Sequence, residues 1–223
     1  MRTTLFLTGI LLAVLGTTVA HATPSTLIWI PSTDIQADGT WHLGIDNYFT
    51  KTDGYRSPTD VGLTYGLLGG KAEVGVDYLG GSDDPLYFNA KCLLVPESEK
   101  APAVAVGVYN LGTESGVTDC NMLYVLGAKT LGPARVTLGY CKGKEATLGR
   151  DSDMLLAGVD GYLTSDRKWW GAIDYQSGDN AFGALSFGAS YAVTDKVSLL
   201  FGYDLYNDSA LDDTITTQLD INF

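Results

Sequence analysis

The sequence predicts an all-β fold: a closed antiparallel transmembrane β-barrel of about 12 strands, within a range of about 10 to 14. Three observations predict it. Apolar and polar residues alternate with a period of two in segment after segment of the chain. Turn-forming residues separate these segments. The connections alternate between short turns and longer polar loops, which is typical of membrane-crossing barrels and is not required of a soluble sandwich.

The last segment, residues 214–223, shows the alternation most clearly. Ile215 and Leu219 fall on one face of an extended chain, Gln218 falls on the other, and the chain ends on Phe223. A strand between lipid and water accounts for both features. On these residues the chain resembles the outer-membrane β-barrels of Gram-negative bacteria, a small porin-like group whose subfamily is not identified. The resemblance implies periplasmic termini, contact with outer-membrane lipid and lipopolysaccharide, and recognition of Phe223 by the barrel assembly machinery.

The start of the chain predicts export. Arg2 precedes the apolar run 5–14, and small residues at positions 20 and 22 suit cleavage after Ala22. The run is too short to span a bilayer as a helix. Residues 1–22 are therefore predicted to be a signal peptide, which together with the resemblance predicts a location in the bacterial outer membrane. The barrel itself is predicted over residues 41–223.

Residues 23–40 do not form a clear strand. The apolar run 27–30 is broken at once by Pro31. Three interpretations stay open: a periplasmic lead-in, a segment lodged in the lumen, or an additional strand that helps to close the barrel.

The first six predicted strands each alternate and each end at a turn signal. The first meets a polar loop at residues 51–57, and a glycine pair at 69–70 ends the second. In the third, valines lie on the outward face and acidic residues lie on the opposite face. Pro96 ends the fourth, valines alternate with small residues in the fifth, and residues 131–133 turn the sixth.

The second half of the chain repeats the pattern. The longest predicted loop, 142–153, follows the seventh strand, and residues 165–167 end the eighth. Polar residues at 177–181, 194–196 and 207–213 separate the last four strands. The twelve predicted strands are 41–50, 59–68, 71–79, 86–95, 102–110, 121–130, 134–141, 154–164, 168–176, 182–193, 197–206 and 214–223.

Aromatic residues recur at similar heights on the predicted outer face. Rings with a polar tip favour the boundary between lipid and water. The predicted membrane-interface residues are Trp41, Phe49, Tyr78, Tyr140, Trp169, Tyr175, Tyr203 and Phe223.

Most strand charges fall on the predicted inner face, where they avoid the cost of about 2–4 kcal/mol for a Lys or Arg at the bilayer midplane. Twelve tilted strands enclose a backbone radius of roughly 12 Å. This leaves room for a narrow aqueous passage or for a core filled with paired charges and rings. The candidate pore-lining residues are Asp46, Glu73, Asp77, Lys91, Arg135, Asp160, Lys168, Asp174 and Asp204.

An excess of lumenal acids favours cations or small polar solutes, because a ring of one sign concentrates the other. The sequence therefore predicts a small pore. A plugged structural barrel, or an adhesion or assembly barrel acting through the loops 110–119 and 141–153, remains an alternative. An outer-membrane enzyme is disfavoured because His42 is the one histidine after residue 22, lies near the predicted periplasmic rim, and has no Gly-x-Ser-x-Gly motif to serve.

The composition narrows the partners further. The formal net charge of −12 argues against nucleic acid, which requires a basic surface. No motif suggests a metal site or a cofactor. The three cysteines form no stapled framework. Whether Cys120 and Cys141 form a disulfide stays open.

Overall fold

The computed structural model describes residues 25–50 and 58–223, and it shows the predicted fold. Twelve antiparallel strands close into one barrel in which β1 pairs with β12. The predicted signal peptide and the loop 51–57 lie outside the described residues. The strands are β1 (Trp41–Thr50), β2 (Thr59–Leu67), β3 (Ala72–Leu79), β4 (Leu86–Val95), β5 (Ala103–Gly112), β6 (Met122–Leu131), β7 (Ala134–Lys142), β8 (Asp153–Tyr162), β9 (Trp169–Gln176), β10 (Ala184–Ala192), β11 (Val197–Tyr206) and β12 (Thr214–Asn222).

The seam between the first and last strands is fully paired. Its register runs from His42 opposite Asn222 to Thr50 opposite Thr214. At the end of the seam, the Trp41 amide donates to the Phe223 carbonyl at 2.8 Å and the Phe223 amide donates back to Trp41 at 2.9 Å. Closure leaves no unpaired sheet edge, which a barrel in lipid must avoid.

The connections lie at two ends of the barrel. The turn end holds residues 68–71, 96–102, 132–133, 163–168 and 193–196, together with the seam end at Phe223. The loop end holds residues 80–85, 113–121, 143–152, 177–183 and 207–213. The tight turn at residues 68–70 places Leu68, Gly69 and Gly70 at φ 57°, 69° and 74°. This is the left-handed region, which glycine enters without steric cost.

The loop after β7 contains a feature that the strand pattern does not predict. A one-turn helix, α1 (Glu145–Leu148), occupies part of it. Among the residues that the structure describes, no helix has the length and apolar character needed to cross a membrane.

The chain that precedes β1 lies inside the barrel. We call residues 25–38 the plug segment. It folds back on itself, with the Leu27 amide donating to the Ile30 carbonyl at 2.8 Å. Leu27, Ile28 and Ile30 are all buried. A Cβ placed on Gly158 of the inner wall would meet the tips of Leu27 and Ile30 at 2.5 and 3.4 Å, so the plug segment packs directly on that glycine.

One sector of the lumen is apolar, contrary to the expectation that apolar side chains face outward and charged ones inward. Inner-face residues of β6, β7, β8 and β11 pack against the plug segment in a single core. The reason is burial, because the apolar side chains of the plug segment need an apolar wall. The fully buried inner-face members are Met122, Leu126, Cys141, Met154, Leu156 and Leu200.

Candidate functional site

The Glu73–Lys91 pair holds the plug segment from the β3–β4 wall. The two charged groups lie 3.1 Å apart and both are buried. Glu73 also accepts hydrogen bonds from the Ser25 hydroxyl at 2.8 Å and from the backbone amide of Gln36 at 2.6 Å. Lys91 donates to the Ser25 carbonyl at 3.1 Å. Two residues predicted to line a pore therefore bind the plug segment.

Asp174 holds the turn of the plug segment from the opposite side. One of its carboxylate oxygens accepts the amide of Ile28 at 2.7 Å and the amide of Trp29 at 3.0 Å. Gln218 donates to the Ile28 carbonyl at 2.9 Å. The Trp29 indole donates to the Phe182 carbonyl at 2.8 Å. Because these bonds satisfy buried backbone groups, the turn is fixed in one position.

Arg135 anchors the far end of the plug segment. Its guanidinium pairs with Asp34 at 2.7 Å and also donates to the Thr33 hydroxyl. Glu97, from the turn after β4, lies 3.9 Å from the same guanidinium. This predicted pore residue therefore acts in a network near the turn end.

A cavity of about 400 Å³ remains between the plug segment and the β1–β5 wall. We call it the acidic cavity. It runs along β1 from His42, the second residue of the strand, to Tyr48 near the loop end. Asp46, Asp60 and Asp77 line it.

These three carboxylates lie on adjacent strands. Asp46 is directly opposite Asp60 in the β1–β2 register, and Asp77 is opposite Gly62, the next inward residue of β2. Asp77 accepts a hydrogen bond from the Asn89 side chain. One oxygen each of Asp46 and Asp60 is buried with no hydrogen-bond partner among the described residues.

The other predicted acids sit in local networks. Asp204 accepts from the Thr214 hydroxyl at 2.9 Å, and Asp160 accepts from the Trp170 indole at 3.1 Å. His42 lies 3.4 Å from the fully buried Asp220.

A second cavity, of about 520 Å³, opens near the turn end. Its lining carries both signs of charge, including Asp34, Glu97, Arg135 and Arg167. Thr26 of the plug segment borders both cavities, so the plug segment lies between the two spaces.

Two basic residues do not lie where the inward pattern put them. Lys168, predicted to line the pore, is exposed in the turn before β9, because that strand begins one residue later at Trp169. Lys129, a basic residue of β6, has the outward parity of its strand and pairs with Glu97 at the rim at 3.5 Å. With both lysines outside the lumen, acidic residues outnumber basic residues in the interior by more than the sequence predicted.

Asp60 is a lumenal acid that is absent from the predicted pore-lining set. Its strand places Val61 and Leu63 outward, so parity alone assigns Asp60 to the inner face. The role of Trp29 in the lumen had no comparable local signal, because its partners are distant in the chain.

The predicted interface aromatics lie on the outer surface. Tyr203 is half-buried against Phe187, with ring centroids 6.0 Å apart. Trp41 packs on Tyr65 at 4.6 Å, and Trp169 packs on Tyr191 at 4.9 Å. The remaining members are exposed: Phe49, Tyr78, Tyr140, Tyr175 and Phe223.

All three cysteines are free thiols, with Cys120 and Cys141 buried. Over residues 25–50 and 58–223, no three or more His, Cys, Asp or Glu side chains are arranged to hold a metal ion.

Comparisons with solved structures agree with the barrel. The KdgM porin matches 82% of this chain and 98% of its own, at 9% identity and a TM-score of 0.54. The outer-membrane protein Omp33 of Acinetobacter baumannii matches 85% and 98%, at 11% identity and 0.52. An outer-membrane channel of Pseudomonas putida F1 matches 87% and 100%, at 13% identity and 0.51.

No protein-family model and no curated protein matches the sequence. The structural similarity at these low identities concerns the fold. The chain has the closed barrel fold of outer-membrane porins and channels.

Proposed function

We propose that the protein is a narrow porin-like channel of the bacterial outer membrane that passes small cationic or polar solutes. The observation that carries this proposal is the set of three acidic side chains in the acidic cavity that have no basic partner in the described part of the chain. Glu73 is neutralised by Lys91, whereas none of the ion pairs among the described residues includes Asp46, Asp60 or Asp77. Clustered carboxylates in a low-dielectric wall raise the local concentration of cations.

The geometry supports a path along one wall. The acidic cavity follows β1 over most of its length and ends beside Pro58, next to the loop end. The second cavity lies next to the turn end. Since Thr26 borders both, a solute that moves from one cavity to the other passes the plug segment. We therefore propose that this segment forms the constriction of the path.

Reversal potentials in a salt gradient across a planar bilayer test the proposal. The wild-type protein is expected to select cations over anions. The triple variant Asp46→Asn, Asp60→Asn, Asp77→Asn is expected to lose most of that selectivity. A matched control is Asp83→Asn, Asp179→Asn, Asp195→Asn, which removes three charges from exposed connections. Anion selectivity in the wild type, or equal effects of both variants, would contradict the charge argument.

A closed structural barrel is the second candidate, and the plug segment is the observation that favours it. Salt bridges and hydrogen bonds hold that segment from at least three sides of the wall. Absence of single-channel currents in the wild type, with currents restored by loosening the segment, would favour this candidate.

An enzymatic role is not part of the proposal. His42 lies between Asp220 at 3.4 Å and Asn222 at 3.2 Å, and no hydroxyl nucleophile is among these partners. Assembly through Phe223 and contact with lipopolysaccharide stay predictions.

A further inference from the structure

We infer that the acidic cavity binds an aliphatic amine with two or more cationic groups, and that Trp29 of the plug segment forms part of this site. The inference rests on the proposed function, because it names the class of cation that the same lumen takes.

Two acidic side chains of the cavity wall face each other across neighbouring strands. Side chains directly opposite in adjacent antiparallel strands lie about 4.5–5.5 Å apart, and like charges at that spacing destabilise the pair. Asp46 and Asp60 are such a pair. The Asp77 carboxylate leans over Gly62, where a Cβ would meet it at 2.6 Å, so it approaches the Asp60 strand. Local conflicts of this kind are expected at functional sites.

The spacing of the carboxylates favours an extended ligand over a metal ion. A bound Ca²⁺ gathers six to eight oxygens around one point. These acids instead occupy three strands, and no three acidic or metal-ligating side chains converge in the described part of the chain. Ammonium groups spaced along an aliphatic chain can meet such carboxylates one by one.

The remaining wall of the cavity suits the apolar part of that ligand. The Trp29 ring meets Tyr48 edge-on at 5.5 Å and Tyr206 edge-on at 5.6 Å. All three rings line the cavity. Aromatic faces attract ammonium groups and cover methylene groups. A volume of about 400 Å³ is within the range of small-ligand pockets.

Trp29 links the site to the plug segment. Its amide is held by Asp174 and its indole by the Phe182 carbonyl. The complete site therefore exists only while the plug segment is seated. A ligand that binds the complete site favours the seated state, since it shifts the equilibrium toward the state that it binds better.

Calorimetric titration of the full chain in detergent tests the inference with 1,4-diaminobutane, n-butylamine and MgCl₂ as probes. We expect saturable binding of the diamine, binding of the monoamine weaker by roughly tenfold or more, and no competition from Mg²⁺. The variant Asp46→Asn, Asp60→Asn is expected to weaken diamine binding by roughly tenfold or more. The matched control Asp83→Asn, Asp195→Asn should leave it unchanged.

A second variant keeps the test independent of folding defects. Trp29→Leu removes the ring and keeps Asp46, Asp60 and Asp77, and far-ultraviolet circular dichroism reports whether the barrel is intact. Weaker diamine binding by an intact Trp29→Leu barrel supports the inference. Equal affinity for the two amines, equal binding by the Asp variant and its control, or tighter binding of Mg²⁺ at the same site overturns it. Cation-selective currents without diamine binding would overturn this inference alone, whereas diamine binding without currents would overturn the proposed channel alone.

Discussion

The ammonium of Lys91 lies 3.1 Å from the carboxylate of Glu73, and both groups also bind the backbone of the plug segment. The pair is buried, so neither charge can be screened by water. It connects the wall of the barrel to the segment that fills it.

Breaking this pair is expected to loosen the plug segment. Glu73→Gln leaves the Lys91 charge buried without its partner, which lowers the free energy of unfolding by about 3–5 kcal/mol. Urea unfolding in detergent measures the loss, and bilayer recordings should show larger currents. Glu97→Gln is the control, because its pairs are at the rim and partly exposed, and removal should cost no more than about 1 kcal/mol. Equal losses of unfolding free energy in the two variants would contradict this role of the Glu73–Lys91 pair.

A larger side chain at Gly158, on the wall beneath the plug segment, should displace that segment without any change to its own residues. A Cβ at Gly158 would meet the tip of Leu27 at 2.5 Å and the tip of Ile30 at 3.4 Å. Gly158→Val is therefore expected to displace the plug segment and to raise single-channel conductance. Gly127→Val is the matched control, since a Cβ there meets its nearest atoms only at 3.8 Å. Unchanged currents in Gly158→Val would show that the plug segment does not limit flow.

Deleting residues 25–36 should enlarge the passage at a cost in stability. The deletion removes Leu27, Ile28 and Ile30 from the core that also contains buried inner-face residues of β6 and β8. We expect higher conductance together with a lower unfolding midpoint, because apolar surface is left facing water. A deletion variant whose conductance equals that of the wild type would place the constriction elsewhere.

The loop end contains a pH-dependent clasp outside the strands. Hydrogen bonding from the Lys144 ammonium, aided by the Gly116 amide and the Thr147 hydroxyl, lowers the pKa of Asp119 to about 2. The pKa in the folded state is below the unfolded value of about 4. The clasp is therefore fully stabilising above about pH 4 and is lost as the pH falls toward 2. Limited proteolysis of this loop with pepsin should accelerate over that interval.

Asp119→Asn provides the control for the clasp. This variant lacks the titrating group, so its cleavage rate should vary less between pH 4 and 2 than that of the wild type, after correction for pepsin activity. Identical pH profiles for the two proteins would remove Asp119 from the explanation.

The strands were predictable because their signal is local. Alternation places β1, β4 and β11 at the predicted residues and the other strands within about two residues. The same parity identifies Asp60 as an inner residue, although the prediction omitted it. Lys168 shows the limit of the rule, since parity does not say where a strand begins.

The position of the plug segment was not predictable from local pattern. Its amide at Ile28 binds Asp174, which is 146 residues later in the chain. The sequence carries two traces of it. The apolar run 27–30 left a place in the lumen as one of three interpretations, and alternation is lost in β6 and β8, where Met122-Leu123 and Leu155-Leu156 are apolar on both faces. A strand with two apolar faces indicates that something apolar also lies on its inner side.

The seam favours one order of events during folding. The partner of β1 is β12, the last of the twelve described strands in chain order, whereas the plug segment directly precedes β1. A ring of strands that shut first would have to admit fourteen residues through a narrow mouth. It is simpler for the sheet to form around a segment that is already in place. Pairing of β12 with β1 then encloses the plug segment.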